Sequence, residues 1–277
     1  MGTSSCSGKT TTCAPSPVPC DLVMSYYDVP LLKKPVWTWE VPLYFFVGGA
    51  AGAAAMIGVA AQLGGADKKL VRDARRIAAG GAMLSTPLLI LDLGRPERFL
   101  NMLRVFKPQS PMSVGAWTLA VFGGASTAAL ISDAAAVVSA ATGLVMATYT
   151  GVLLGATAIP EWKRYAGTLP IHFGASGLAS AASLLELLGH NDKALGRLAS
   201  AAAATETAIG VRIEAKGGTD ITTRIGGMFS GPLPLILRLI GSRKTRQAAA
   251  ASQLLGSLIT RIAWVEAGKK SANRSKP

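Results

Sequence analysis

The feature that most constrains this chain is a succession of long segments with few or no charged side chains. Four such segments lie in its N-terminal part, at residues 41–63, 77–91, 114–131 and 135–159. Each is close to the roughly 20 residues that a helix needs to cross the hydrocarbon core of a bilayer. Only 16% of all residues are charged, against about 25% in a typical soluble domain. A soluble helical protein would have to bury four such segments in one globule, so the pattern favours a multi-pass membrane protein.

Weaker hydrophobic segments follow in the second half of the chain. They cover residues 168–189, 194–213, 225–241 and 248–265. Glu206 lies inside the second of these segments, and Pro232 and Pro234 interrupt the third. An ionisable residue inside a span is expensive and normally faces the interior of the bundle. The sequence therefore predicts an all-α integral membrane bundle of about eight transmembrane helices.

The two ends of the chain differ from the spans in composition. Residues 1–35 are rich in Ser, Thr and Pro, begin without the apolar core of a signal peptide, and contain Cys6, Cys13 and Cys20. These cysteines lack the close pairs and the fourth ligand that zinc and iron–sulfur sites usually show, so we predict no metal site, and their role stays open. We divide the chain into a polar and partly disordered tail (1–35), a transmembrane domain (36–268) and a basic tail (269–277).

Between the second and third spans, charge is concentrated in the stretch LDLGRPERFLNMLRVFKPQSPMSVGAW. Gly94 suits the left-handed cap at the end of a helix, and Pro96 suits the first turn of a new one. Beyond them Phe99, Leu103 and Phe106 share one helical face, with charged and polar residues on another. This pattern predicts a short helix that lies in the membrane interface between spans 2 and 3.

Four motifs can be read together: WTWEVPLYFFVGGAAGA, the charged stretch just quoted, TYTGVLL, and PEWKR. Together they resemble the polysulfide reductase membrane-subunit family, also called the NrfD family, over residues 25–162, with a fainter echo in RIAWVEAGK. The resemblance implies an eight-helix, haem-free, multi-pass subunit of a respiratory oxidoreductase complex in the inner cell membrane. It also implies electron exchange between membrane quinone (menaquinone or ubiquinone) and a ferredoxin-like iron–sulfur partner. That partner serves a catalytic subunit, often a molybdopterin enzyme.

The residues themselves limit the cofactors that this chain can hold. His172 and His190 are its only histidines, so a di-haem cytochrome is excluded, because each b-type haem takes two axial imidazoles in such proteins. No cysteine lies in any predicted span. We therefore expect iron–sulfur clusters and any molybdopterin only in partner subunits, and no complete active site for a soluble substrate here. The net charge of +13 is expected to face anionic lipid and not nucleic acid.

A quinone site needs hydrogen-bond partners for two carbonyl oxygens and a route for protons. By the resemblance it lies near the start of the first span and at a tyrosine of the fourth, which correspond here to Trp39, Glu40 and Tyr149. His172, early in the fifth span, is a further candidate donor. Each polar candidate has a second interpretation: an interhelical hydrogen bond for Tyr149, an interfacial charge for Glu40, and a bond to a backbone carbonyl for His172. The other aromatic-belt candidates, expected at the headgroup level, are Trp37, Trp117 and Trp162.

Ionisable residues in or beside the spans are candidates for a proton path. They are Asp92, Glu186, Glu206 and Arg261. Buried ionisable groups in lipid tend either to pair or to conduct protons, so a structural role is the alternative. For Glu206 that role is an ion pair with Arg212 or Arg261, and for Asp92 it is a clasp with Arg95 three residues away.

The cations of the charged stretch form a candidate docking surface. They are Arg95, Arg98, Arg104 and Lys107. They fall on the same membrane side as Trp39 and Glu40, where the resemblance places the ferredoxin-like partner.

A different class of function stays open at this stage. The interrupted seventh span is the argument for a small transporter, since broken helices line the binding sites of many transporters. A purely structural membrane anchor is the other alternative.

Overall fold

The computed structural model describes residues 35, 37–94, 96–217 and 220–274, and the regular elements in these ranges are all α-helices. In chain order they are α1 (Glu40–Leu63), α2 (Lys68–Leu93), α3 (Pro96–Arg104), α4 (Pro111–Ala128), α5 (Asp133–Gly155), α6 (Pro160–Arg164), α7 (Leu169–Leu187), α8 (Lys193–Ala215), α9 (Ile221–Ser230), α10 (Pro232–Ile240) and α11 (Arg243–Arg274). The all-α prediction is confirmed. The cysteines and the tail at residues 1–34 lie outside the described residues.

The predicted spans correspond closely to these helices. Helices α1, α2, α4, α5, α7, α8 and α11 each take one span, and the predicted seventh span is divided into α9 and α10. Within the described residues, four helices, α1, α2, α5 and α11, are long and apolar enough to cross a membrane by length and composition. A helical membrane bundle is therefore confirmed, and the number of eight spans stays a prediction.

Helix α1 is central in the bundle and packs against α2, α5, α7 and α11. Its buried surface consists mainly of glycine and alanine. A Cβ atom on Gly52 would lie 2.3 Å from the carbonyl oxygen of Gly143 in α5, so only glycine permits this approach. Close packing of small residues drives helix association in lipid, where burial between helices gains little hydrophobic free energy.

The other helices form two groups that share α1 and α7. In one group α2 and α5 pack on α1, and α4 packs on α2 and α5. In the other group α9 and α10 pack on α11, and α8 packs on α9 and α10. Helix α7 contacts members of both groups. Each group encloses a cavity, and the two cavities differ in character.

The turns between helices fall at two ends of the bundle. We call the end where α1 begins the entry end; α3, α6 and the turn between α8 and α9 also lie there. The turns α1–α2, α4–α5 and α7–α8 lie at the opposite end, where side chains join them. Arg75 donates to Asp133 at 2.5 Å, and His190 pairs with Asp73 at 3.0 Å.

Helix α3 occupies the place predicted for a short helix between spans 2 and 3. Gly94 ends α2 with a φ of 68°, as expected for a left-handed cap. Phe99 is buried against the bundle, whereas Phe106 lies beyond the end of the helix and is 54% exposed. The prediction that Phe106 belongs to the helix is wrong, because α3 ends at Arg104. Pro108 disfavours a helical conformation at Lys107, so the helix does not resume there.

The predicted interruption of the seventh span is present at Gly231, between α9 and α10. Pro232 begins α10, where its missing N–H costs nothing. The hydroxyl of Ser252 in α11 donates to the carbonyl oxygen of Phe229 at 2.8 Å. Irregular backbone in a membrane bundle is tolerated where protein groups satisfy it in this way.

Candidate functional site

Two cavities in the described part of the chain each contain two of the predicted quinone and proton-path residues. The first, which we call the apolar cleft, lies at the entry end between α1, α2, α3, α4 and α5. The second, which we call the polar cavity, lies between α7, α8, α9 and α11.

Few polar groups line the apolar cleft. They are the hydroxyls of Tyr44 and Tyr149, the carboxylate of Asp92 and the indole of Trp37. The remaining lining is aliphatic and aromatic, for example Phe45 and Leu88. An apolar pocket with a few polar groups at one end is the usual form of a site for a small aromatic ligand.

Two residues of α4, Pro111 and Gly115, contact Tyr149 and fix its position. Its hydroxyl donates to the carbonyl oxygen of Pro111, so the interhelical hydrogen bond that the sequence allowed is present. Its ring lies against Gly115, where a Cβ atom would come within 2.2 Å of the ring. The hydroxyl has a single proton, so it can donate to a ligand only after release from Pro111.

Asp92 brings a carboxylate to the edge of the cleft. It is half-buried at the end of α2, and it interacts with the backbone of Thr38 where the chain enters α1. The hydroxyl of Thr38 donates to Glu40. The two carboxylates therefore meet around Thr38 at the entry end. The predicted clasp between Asp92 and Arg95 lies outside the described residues, since Arg95 is not among them.

Trp37, and not Trp39, lines the cleft. Trp37 stacks on Trp162 with ring centroids 5.1 Å apart and meets Phe45 edge-on at 6.1 Å. Trp39 is 65% exposed and borders a separate surface groove with α11. The prediction that Trp162 anchors the chain at the headgroup level is wrong: it is fully buried and donates its indole N–H to the carbonyl oxygen of Trp264 at 2.7 Å.

The cleft is narrow, with a volume of about 50 Å³. Pockets for small organic ligands typically measure roughly 300 Å³ or more. Met102 of α3 and Met112 of α4 form part of its wall. Methionine is unbranched and adapts its shape readily, so a planar ring can enter if these two side chains move.

The polar cavity has a volume of about 140 Å³ and contains two predicted residues, His172 and Glu206. Both are almost fully buried, with 4% and 2% exposure. Among the described residues, no hydrogen-bond partner is found for His172 Nδ1, Glu206 Oε1, Thr223 Oγ1, Thr260 Oγ1 or Trp264 Nε1. Each unpartnered buried polar atom costs about 1–3 kcal/mol. A cavity with such a lining is suited to ordered water, which needs two to four polar partners.

Arg261 lies beside this cavity and is buried within the bundle. It donates to Ser176 Oγ at 3.0 Å, to Ser257 Oγ at 2.5 Å and to the carbonyl oxygen of Phe45 at 3.2 Å. Its guanidinium also lies over the ring of Phe173, 5.2 Å from the centroid. These contacts join α1, α7 and α11 around one cation.

The ion pair that the sequence allowed for Glu206 is not observed within the described part of the chain. Its carboxylate accepts a hydrogen bond from Gln253 Nε2 at 3.0 Å, and no contact with Arg212 or Arg261 falls within ion-pair distance. Glu206 and Arg261 interact only at longer range. Sequence spacing could not reveal Gln253 as the partner, because the two residues lie on different helices.

The predicted quinone and proton-path residues do not form one cluster. Tyr149 and Asp92 share the apolar cleft, whereas His172, Glu206 and Arg261 surround the polar cavity or lie beside it. Glu186 lies in neither cavity. It is at the opposite end of the bundle, where its carboxylate accepts a hydrogen bond from Arg238 at 2.8 Å.

The predicted docking cations remain near the apolar cleft. Arg98, Arg104 and Lys107 are exposed at the entry end, and Arg95 lies outside the described residues. Helix α3 carries Arg98 and Arg104 on its outer face, while Met102 of the same helix lines the cleft. A protein bound to this surface would therefore contact the wall of the cleft.

Comparison with known proteins identifies the family of this chain. No curated protein matches its sequence. The family model described as polysulfide reductase matches residues 23–274, which is most of the chain and includes both cavities. The chain therefore belongs to the polysulfide reductase family, the NrfD family of membrane subunits of oxidoreductase complexes.

Proposed function

We propose that this chain exchanges electrons between membrane quinone and an iron–sulfur partner subunit, and that the quinone ring binds in the apolar cleft. Membership of the family makes the chain a membrane subunit of a multi-subunit oxidoreductase complex. The observation that carries the proposal further is that Tyr149 and Asp92 both line a cleft whose other walls are mostly apolar.

The cleft supplies the groups that quinone chemistry needs. Reduction adds two electrons and two protons, the electrons coming from the partner. The Tyr149 hydroxyl, released from Pro111, donates a hydrogen bond to one carbonyl oxygen of the ring. Asp92 exchanges protons between the entry end and the cleft, since it is half-buried at its edge. Phe45 and Leu88 exclude water from the ring face. Menaquinone and ubiquinone share these requirements, so the cleft suits either ring.

The partner in this proposal docks on α3. Arg98, Arg104 and Lys107 offer a basic surface to an acidic ferredoxin-like subunit, which then lies beside the cleft wall. Such charge complementarity steers association and fixes the register of a complex. Iron–sulfur clusters and any molybdopterin belong to that partner and to the catalytic subunit, and the assembly lies in the inner cell membrane.

The polar cavity supports coupling of electron transfer to proton movement. Glu206 and His172 line it, and its unpartnered hydroxyl and indole groups suit a chain of water molecules. Arg261 links this region to the cleft, because it holds the carbonyl oxygen of Phe45, whose ring lines the cleft.

A transporter is the second candidate, and the break at Gly231 is the observation that favours it. Residues on both sides of the break, Met228 and Pro232, line the polar cavity. Broken helices at a midplane cavity are typical of transporter sites. Without quinone chemistry, the same bundle would serve as a transporter or as a structural anchor.

The test is quinone turnover by the purified intact complex with a soluble quinone analogue. Tyr149→Phe removes the donor and is expected to lower kcat/KM about 100-fold, in the range for the loss of a positioned acid–base group. Tyr165→Phe is the matched control, because it removes a buried phenol outside the cleft that donates to the Ile213 carbonyl at 3.4 Å. Equal turnover in the two variants would remove Tyr149 from the site, and no turnover in the unaltered complex would favour the transporter.

A further inference from the structure

A third cavity lies at the opposite end of the bundle, between α7, α8, α10 and the start of α11. It measures about 470 Å³. Its charged lining consists of Lys193, Arg197, Arg238 and Arg246 with two carboxylates, Glu186 and Asp192. Neither the apolar cleft nor the polar cavity includes any of these residues.

The two carboxylates already have partners. Asp192 caps α8 by accepting a hydrogen bond from the backbone N–H of Ala194 at 2.8 Å. Glu186 accepts from Arg238 Nη2 at 2.8 Å. Among the described residues, Lys193, Arg197 and Arg246 form no ion pair, and the four cations outnumber the two carboxylates in the cavity lining.

Arg238 supplies the second, independent observation. Its side chain is 6% exposed and lines the cavity. Its guanidinium donates from Nη2 to Glu186 and to Ser183, whereas its Nε and Nη1 have no partner among the described residues. A buried guanidinium with two unpartnered donors favours an acceptor-rich anion such as a phosphate group, which can accept from either of them.

The surface around the cavity indicates where that phosphate comes from. Ile236, Leu239 and Ile240 of the same short helix, α10, are 57%, 86% and 63% exposed. These three large apolar side chains lie on the exposed side of the helix whose Arg238 lines the cavity, so they suit the acyl chains of a lipid whose head group enters it. Basic pockets between membrane helices bind anionic head groups for this reason.

We infer that this cavity, lined by Lys193, Arg197, Arg238 and Arg246, binds the phosphate of an anionic phospholipid whose acyl chains lie along α10. The lipid joins α7, α8, α10 and α11 at the opposite end of the bundle. This inference does not rest on quinone chemistry, so its test is independent of the test of the proposed function.

The experiment measures thermal unfolding and binding of the purified protein in detergent during titration with dioctanoyl phosphatidylglycerol. Parallel titrations use dioctanoyl phosphatidylcholine and inorganic phosphate. The double variant Arg197→Ala/Arg246→Ala removes two cations while leaving the Glu186–Arg238 pair in place. Arg72→Ala is the control, because Arg72 is an exposed arginine at the same end of the bundle that does not line this cavity.

Phosphatidylglycerol is expected to bind and to stabilise the unaltered protein, and the double variant to weaken its binding about 25-fold, or about fivefold for each arginine. The Arg72 variant is expected to bind as the unaltered protein does. Arg238→Lys, which keeps a charge beside Glu186 but loses the two free donors, is expected to weaken binding as well. Equal binding of the two lipids, unchanged binding by the double variant, or saturation by inorganic phosphate that phosphatidylglycerol does not displace would each overturn the inference.

Discussion

The apolar cleft and the polar cavity lie in one bundle, yet different side chains build them. The cleft places Tyr44, Tyr149 and Asp92 at the edge of an otherwise apolar wall, whereas the cavity gathers buried hydroxyls around Glu206 and His172. A ligand that enters and leaves the membrane needs an apolar wall with few donors. Movement of protons needs a series of polar groups. The proposed function therefore assigns quinone binding to the helices around the cleft and proton movement to the helices around the polar cavity.

The largest expected effect comes from the cation beside the polar cavity. Arg261→Met removes the guanidinium bonds to the carbonyl oxygen of Phe45 and to the hydroxyls of Ser176 and Ser257, which then bond only each other. It also leaves Glu206 without a nearby positive charge. We expect a loss of about 3–5 kcal/mol in the free energy of unfolding, as when one member of a buried charged network is removed. Chemical or thermal unfolding of the detergent-purified protein measures it.

The control for this prediction is the double variant Arg261→Met/Glu206→Gln, which removes both charges. It is expected to regain part of the lost stability, because no uncompensated carboxylate remains. If Arg261→Met unfolds like the unaltered protein, the polar cavity does not depend on charge, and the contrast with the cleft fails.

The next effect concerns the packing of the apolar cleft. Gly115→Ala places a methyl group 2.2 Å from the ring of Tyr149, so the ring or α4 must shift. We expect about a tenfold loss of quinone turnover in the intact complex. Gly123→Ala is the matched control on the same helix, since a Cβ atom there meets no other atom within 4 Å. Equal turnover in both variants would contradict the role of Gly115.

A smaller effect is expected at the docking surface of α3. Charge reversal of Arg98 and Arg104 to Glu is expected to slow association with the iron–sulfur partner and to weaken the complex about two- to tenfold, with less dependence on salt. Co-purification and binding at two salt concentrations measure it. The same reversal at Arg72, an exposed cation at the opposite end, is expected to leave the complex intact. If neither charge reversal changes binding of the partner, the partner docks on a surface other than α3.

The smallest effect separates the two tryptophans at the entry end. Trp37→Phe weakens the stack on Trp162 and is expected to reduce the free energy of unfolding by about 0.5–1.5 kcal/mol, whereas Trp39→Phe is expected to be neutral. Thermal unfolding of the two variants in parallel gives the comparison. The reverse order would mean that Trp39, and not Trp37, packs into the bundle.

The sequence by itself determined where most of the helices lie and where some of them end. Apolar length predicted the spans, Gly94 predicted the end of α2, and Pro232 predicted the break before α10. These features are local, because in a membrane each helix must satisfy its own backbone groups within one segment. A short stretch of residues therefore contains the information that decides them.

Only the tertiary structure decided which side chains meet. In the tertiary structure Trp37 lines the cleft, whereas Trp39 does not. His172 and Tyr149 lie in different cavities. Glu186 binds Arg238, which lies 52 positions away in the chain. Contacts between helices depend on the rotation and depth of each helix. Close approaches, such as that of Gly52 to Gly143, determine this rotation and depth. Since these approaches join distant parts of the chain, hydropathy and spacing along one segment do not contain them.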